Sequence, residues 1–218
     1  ALPLGKKLIT KGEFMKIILL GAPGAGKGTL ANGLIKELKI PTISTGDLLR
    51  NEVKSGSELG NKVKDIMTSG KLVPTEVVIE LLQNRLAQSD TKNGFILDGF
   101  PRSIEQAKLL EEIADIDKCL NLVIDKQVIL DRICGRRTCK TCGNIYNTNN
   151  YDNEMCECGG ELFAREDDNP ETVAKRFDTF VTNTTPLINY YRDKGILVDV
   201  ICQDKAEDTL KNALEILK

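Results

Sequence analysis

The sequence predicts an α/β protein, a doubly wound parallel sheet of about five strands with helices on both faces. Short apolar runs alternate with longer amphipathic segments over most of the chain, the pattern of strands joined by crossover helices. A glycine-rich turn ends the first apolar run and opens the first helical segment, a strand–turn–helix form suited to phosphate. A cysteine cluster between Cys139 and Cys158 marks an insertion that breaks the alternation.

The elements follow in order. Met15–Leu20 reads as a buried strand, and Gly28 to about Lys39 as a helix. Ile40–Ile43 is a short second strand. Ser44–Val73 is helical and amphipathic with no strand of its own. Thr75–Gln88 is a helix, Phe95–Leu97 a strand, Ile104–Ala114 a helix and Cys119–Ile124 a strand. Lys126–Cys134 is helical, and Gly135–Asp167, rich in Cys, Gly and Asn, is a small insertion. Pro170–Lys194 reads as one helix, with Asn169 at its N-cap, Pro170 at N1 and Glu171 in its first turn. Pro186 is expected to bend it and Gly195 to end it. Gly195–Ile201 is the last strand and Ala206–Lys218 the last helix.

Composition narrows the chemistry. Thirty Lys and Arg against 32 Asp and Glu give a net charge of -2, so no whole-molecule attraction to nucleic acid or anionic lipid is expected. The chain has no His, which excludes an imidazole base and any His metal ligand. Its seven Cys are odd in number and tightly spaced, pointing to thiolates in a reducing cytoplasm rather than to a disulfide framework. No apolar run approaches the roughly 20 residues of a membrane span. Residues 1–14, with Lys6, Lys7 and Lys11 against Glu13, read as an extension or leader without the Arg and Ser enrichment of a transit peptide.

The turn Gly21-Ala22-Pro23-Gly24-Ala25-Gly26-Lys27-Gly28-Thr29 carries the chemistry of a P-loop NTPase-like site. Its amides can wrap a polyphosphate, the following helix adds positive potential, and Lys27 would reach the β- and γ-phosphates. Gly28 stands where Ser or Thr is usual in this motif, with Thr29 next. Asp98 ends a buried strand, where an acid can hold Mg²⁺ directly or through water.

Taken together, these segments resemble the adenylate kinase family. The loop has the form Gly-x-Pro-Gly-x-Gly-Lys-Gly-Thr of the nucleoside monophosphate kinases. Ser44-Thr45-Gly46-Asp47-Leu48-Leu49-Arg50 looks like the monophosphate-binding segment, and Leu97-Asp98-Gly99-Phe100-Pro101-Arg102 like the family signature. Asp131–Arg137 and Arg165–Asn169 resemble the two ends of a long LID insertion. The resemblance runs from Met15 to about Asp199 and implies MgATP + AMP ⇌ 2 ADP. It implies a core of 15–43, 74–134 and 168–218, an AMP flap of 44–73, and a LID of 135–167 over ATP. Both flaps would exclude water during transfer.

The resemblance also distributes roles. Gly24, Ala25, Gly26, Lys27, Gly28 and Thr29 would hold the ATP phosphates, and Thr29 and Asp98 Mg²⁺, through water. Arg132, Ile145, Tyr146 and Gln203 would lie along ATP, with Arg132 on the adenine. Arg136, Arg165 and Arg176 would surround the transferring group. Arg50 and Arg102 would hold the AMP phosphate, with Arg165 and Arg176 adjoining. Thr45, Lys71, Leu72, Val73, Gly99, Phe100, Pro101 and Gln106 would complete the AMP pocket. Such a reaction needs aligned cations rather than an imidazole. Arg132 lies beside Ile129 and Ile133, and Arg176 among Val173, Phe177 and Phe180; taken alone, each reads as a cation snorkelling at the edge of an apolar stripe, and the resemblance reverses that reading. Arg137 reads as less committed. Ser103-x-x-Gln106 is also a capping box, which competes with a contact of Gln106 to the AMP base. Thr45 and Gln106 favour AMP over a pyrimidine acceptor. A related kinase with a different acceptor base, or a catalytically silent nucleotide sensor, are the alternatives.

Cys139-x-x-Cys142 is a knuckle-like turn, and Cys156-x-Cys158 supplies a second pair. Four thiolates can form a structural Zn²⁺ site. The family's usual second pair is one residue longer, so a three-thiolate site, a disulfide and a metal-free LID stay open. Between Gly135 and Glu166, four basic residues (Arg136, Arg137, Lys140, Arg165) meet five acidic ones (Asp152, Glu154, Glu157, Glu161, Glu166), which is no surface for nucleic acid. Cys119 and Cys202 read as core residues, and Cys134 has no assigned role. The partners expected are ATP, AMP and ADP, with no nucleic acid or membrane, and nothing demands more than a monomer.

Overall fold

The computed structural model describes residues 15–125, 128–129, 132–133, 135–165, 167–203 and 205–218. Five strands form one parallel sheet: β1 (Met15–Gly21), β2 (Thr42–Ser44), β3 (Gly94–Asp98), β4 (Lys118–Val123) and β8 (Leu197–Ile201), in the order β2-β3-β1-β4-β8. β1 lies at the centre, with Ile18 beside Leu97 on one side and Cys119 on the other. Period-2 alternation sends Ile18 and Leu20 to one face and Ile17 and Leu19 to the other. Both faces are covered, which is why β1 reads as one continuous apolar run.

The helices divide between those faces. α1 (Lys27–Leu38) and α8 (Ala206–Ile216) cover Ile17, Leu19, Ile96, Leu120 and Leu122. α4 (Thr75–Leu86), α5 (Ile104–Ile113) and α7 (Thr185–Asp193) cover Ile18, Leu20, Ile43, Leu97 and Cys119. Because every strand runs the same way, Gly21, Ser44, Asp98, Val123 and Ile201 end on one edge, the edge where ligands bind in open α/β sheets.

Two excursions leave this core. α2 (Thr45–Ser55) and α3 (Glu58–Thr68) form the helical segment after β2. Ser44 Oγ caps α2 by accepting from Asp47 N–H at 3.2 Å, and Ser57 Oγ caps α3 by accepting from Gly60 N–H at 2.8 Å. The second is the Cys-rich insertion. It is a three-stranded antiparallel sheet, β6-β5-β7, made from β5 (Arg136–Cys139), β6 (Ile145–Asn147) and β7 (Leu162–Phe163).

Three expectations are corrected. The second strand begins two residues late, at Thr42; Ile40 is buried, but it enters the core from the connection before the strand. The helix expected over 170–194 is one helical run to Asp193, but an irregular one in three parts. α6 (Pro170–Thr179) runs into a π-turn at Phe180–Thr184 and then α7. The Asn169 cap is as expected, its Oδ1 accepting from Thr172 N–H at 2.9 Å. Pro186 opens α7 instead of bending a continuous helix; it has no N–H to give, and the irregular turn lies just before it. The last helix ends at Ile216 rather than running to Lys218. Of the helix expected over 126–134, Val128, Ile129, Arg132 and Ile133 are helical. The leader 1–14 and Cys134 lie outside the described residues.

Candidate active site

At the carboxyl edge of the sheet the chain encloses a cavity of about 690 Å³. One wall is the turn after β1. Gly24 and Gly26 take left-handed backbone (φ 80° and 94°), which only glycine adopts at little cost. A Cβ at Gly24 would also meet the Ile133 side chain at 2.6 Å. Gly26 is the N-cap of α1 and offers no side-chain cap. The first-turn amides are therefore left for an anion. Lys27 Nζ donates to the carbonyls of Gly21 and Ala22, at 2.8 and 3.0 Å, so it lies folded over its own turn. Burial, partly offset by Asp98 and reinforced by Arg102, Arg176 and Arg136, brings its ammonium down to about 8.

Six arginines line the same cavity: Arg50 from α2, Arg102 from the turn after β3, Arg132 from the segment after β4, Arg136 and Arg165 from the ends of the insertion, and Arg176 from α6. Their partners differ. Arg50 pairs with Asp47 at 2.6 Å. Arg136 pairs with buried Asp168, Nε to Oδ2 at 2.7 Å, and Arg176 with Asp167 at 2.7 Å. Arg102 Nε donates to the Gly99 carbonyl at 2.7 Å, and Arg165 Nε to Thr138 Oγ1 at 3.1 Å. Neither meets a carboxylate among the described residues. Burial and then neighbouring arginines bring both down to about 10, still charged at neutral pH. Burial works against Arg136 too, but the hydrogen bonds and charge of Asp168 outweigh it and raise Arg136.

The apolar stripe beside Arg132 and Arg176 also exists. Ile129, Ile133 and Val173 form a small buried cluster with Ala22, flanked by Phe177 and Phe180. The two readings are compatible: the stripe packs under the phosphate turn and its arginines reach the cavity. Arg137 donates to the Arg136 carbonyl at 2.8 Å and does not line the cavity.

Thr29, Asp98, Ile145, Tyr146 and Gln203 line the main cavity as well. A Cβ at Gly28 would lie 2.8 Å from Ile145 Cδ1 and 3.6 Å from Asp98 Oδ2. Gly28 therefore lets the insertion and the strand-end acid approach the turn together. Arg132 donates to the Gln203 carbonyl at 3.4 Å.

A smaller hollow of about 60 Å³ adjoins on the α2 side. Thr45, Lys71, Leu72, Val73, Gly99 and Gln106 line it, with Arg50, Arg102 and Arg176. Buried Thr45 donates its hydroxyl to the Gly99 carbonyl at 2.9 Å. The Ser103 cap forms, but Gln106 Oε1 accepts from Arg102 N–H at 2.8 Å rather than from Ser103. One amide oxygen is thus committed, and its NH₂ group is the half left to meet a base. Pro101 lines a third hollow of about 70 Å³. Phe100 does not reach the cavities, its side chain being 1% exposed in the core.

The four cysteines meet. Cys139 and Cys158 sulphurs lie 3.6 Å apart and Cys142 and Cys156 3.5 Å apart, with all four within 4.8 Å of one another. Tetrahedral Zn–S bonds of about 2.3 Å imply S···S edges of about 3.8 Å, so the set fits the metal despite its short second pair. Amides of Thr141 and Cys158 donate to Cys139 and Cys156 sulphurs, at 3.4 and 3.5 Å. Tyr146 OH lies 3.2 Å from Cys156 Sγ. The six described cysteines are all free thiols. Cys119 is core as expected, and Cys202 packs against the core from its rim, where it also lines the cavity and donates to the Ala25 carbonyl at 3.4 Å.

The sequence reading missed the partners Asp47, Asp167 and Asp168 as partners, and also Asn149, Asn150 and Tyr151, which line the cavity beside Tyr146. Tyr151 stacks on Tyr146 with centroids 4.2 Å apart; two aromatics five residues apart in a polar loop were the available signal. Among the described residues no helix is long and apolar enough to cross a membrane.

A family model described as adenylate kinase matches residues 19–196. The adenylate kinase of Caldicellulosiruptor bescii is 51% identical over 212 residues, 93% of this chain and 99% of that protein. That of Caldicellulosiruptor saccharolyticus is 50% identical over the same shares. That of Archaeoglobus fulgidus is 46% identical over 213 residues, 94% of this chain and 98% of the relative.

Proposed function

The chain belongs to the adenylate kinase family and transfers a phosphoryl group reversibly from ATP to AMP, giving two ADP; from that premise we propose how its residues divide the work. Gly24–Thr29 and Lys27 hold the donor's phosphates. Arg132, Ile145, Tyr146 and Gln203 hold its adenosine end. Arg50 and Arg102 grip the AMP phosphate, with Thr45, Lys71, Leu72, Val73, Gly99, Pro101 and Gln106 around the acceptor. Arg136, Arg165 and Arg176 neutralise the charge that spreads over the transferring group, where preorganised cations act most strongly. The segments 44–73 and 135–167 close over AMP and ATP and keep water from the phosphoryl group.

Thr29 and Asp98 would hold the Mg²⁺ that accompanies ATP, through water, and it would supply charge neutralisation at the phosphates. The fit rests on Asp98 lining the same cavity as the start of α1. Cys139, Cys142, Cys156 and Cys158 would hold a structural Zn²⁺, which would fix the short strands of an insertion with little apolar core.

One observation carries the assignment. Six arginines and Lys27, from separate stretches of one chain, line a single cavity at an uncapped helix start. The same observation supports a monomer, since the site needs no second chain. The test is ADP formation from ATP with AMP, UMP, CMP or GMP, with and without Mg²⁺. The expected result is Mg²⁺-dependent transfer with strong preference for AMP. Equal use of a pyrimidine acceptor would sink the assignment of Thr45 and Gln106 to the AMP base.

A further inference from the structure

Arg102, like Arg165, meets no carboxylate among the described residues, and it differs in this from three of its neighbours. Arg50, Arg136 and Arg176 rest on carboxylates. Arg102 uses one guanidinium N–H on the neutral Gly99 carbonyl. A guanidinium has five such donors, so both NH₂ groups stay open. With no carboxylate among the described residues to orient it, its main chain is the anchor the structure offers. Both polar groups of that main chain are fixed. The Arg102 N–H donates to Gln106 Oε1 at 2.8 Å, and the Arg102 carbonyl accepts from the Thr184 hydroxyl at 2.9 Å. Thr184 is 7% exposed, so water does not compete freely for the bond.

The π-turn explains how Thr184 arrives there. At 100° per residue, a continuous α-helix would turn Thr184 roughly 80° away from Arg176, eight residues earlier. A π-turn absorbs about one extra residue and brings it back to roughly 20°. Arg176, Phe180 and Thr184 accordingly line one small hollow together with Arg102. One irregular helix thus presents a cation to the site and a hydroxyl to the backbone of another.

We propose that Thr184 is a positioning residue for Arg102: its hydroxyl fixes the Arg102 carbonyl, so the guanidinium is aimed by neutral groups alone and keeps its NH₂ donors for a phosphate. This rests on the reading that Arg102 grips the acceptor phosphate.

The experiment is a double-mutant cycle on the full chain, with steady-state kinetics and thermal melting for each protein. Thr184→Val is expected to lower kcat/KM for AMP roughly tenfold while KM for ATP stays within about twofold. Thr184→Ser, which keeps the hydroxyl, is expected to restore it. Thr184→Ala repeats the deletion without the added methyl, should Val fail to fold. In an Arg102→Ala background the Thr184 loss is expected to shrink strongly, because the group being positioned is gone. Full additivity, equal damage to ATP and AMP parameters, or no rescue by Ser would overturn the inference. Near wild-type turnover of Arg102→Ala alone would instead overturn the reading of Arg102 beneath it.

Discussion

Lys27 and Arg102 are partly buried cations whose hydrogen bonds go to carbonyls, Lys27 to Gly21 and Ala22 and Arg102 to Gly99. Each is costly in the free protein and waits for an anion. Arg102→Ala is therefore expected to lower kcat/KM by roughly 10²–10³, the usual loss for one charge contact in a transition state. The melting temperature should not fall, because a desolvated charge is removed. A coupled ADP assay and a thermal melt check both halves. Lys27 carries a pH signature. Its ammonium sits at about 8, below the ordinary 10.5. Between those values the unfolded chain binds more protons than the native one, so this group's penalty is full below about pH 8 and lifts as pH rises. Triphosphate binding reverses the preference and draws a proton in. Calorimetry near pH 8.5 in buffers of different ionisation heat is expected to show proton uptake on ATP binding. Lys27→Met should abolish it.

At this scale the cations were legible because they sit in ordered local motifs. Their acids were not. Asp168 meets Arg136 across 32 residues, and only the fold brings them together. Gln106 was legible as a conflict between cap and base; the structure splits the side chain, giving its oxygen to Arg102 N–H.

Among the elements, the insertion makes the sharpest claim. Its strands are two to four residues long, and short sheets of this kind rarely stand without a staple. Protein purified without chelator is expected to carry one zinc per chain by metal analysis. Removing the metal should lower the melting temperature by several degrees and release the insertion first to proteolysis. Clearly less than one zinc per chain ends the assignment. The buried strands were plain in the sequence because both faces of the sheet are covered. The three strands of the insertion were not, since metal-sized turns rather than apolar alternation build them. Nor was the π-turn, because its own residues carry no mark of i→i−5 bonding, and its contact from Thr184 to the Arg102 carbonyl spans 82 residues. The Cys-x-Cys spacing looked too tight, yet two antiparallel strands bring the pairs face to face.

For the whole molecule, the balance of −2 hides a strong local excess of positive charge. Added salt should therefore stabilise the nucleotide-free protein more than its complex with ATP and AMP, by screening the cations from one another. Melting curves across an ionic-strength series, with and without nucleotides, measure the difference. A larger gain for the complex would contradict it.

The Arg136–Asp168 pair has a consequence for how such a chain can vary. It ties the first strand of the insertion to Asp168, two residues before α6, and β5 lies against β7, Thr138 beside Phe163. Both ends of the insertion thus leave the core through one narrow gate. Whatever lies between can be lengthened, shortened or rebuilt around another chemistry without moving the sheet beneath, because loop closure grows only slowly in cost with length. The insertion is a cassette, and this ion pair is its clasp.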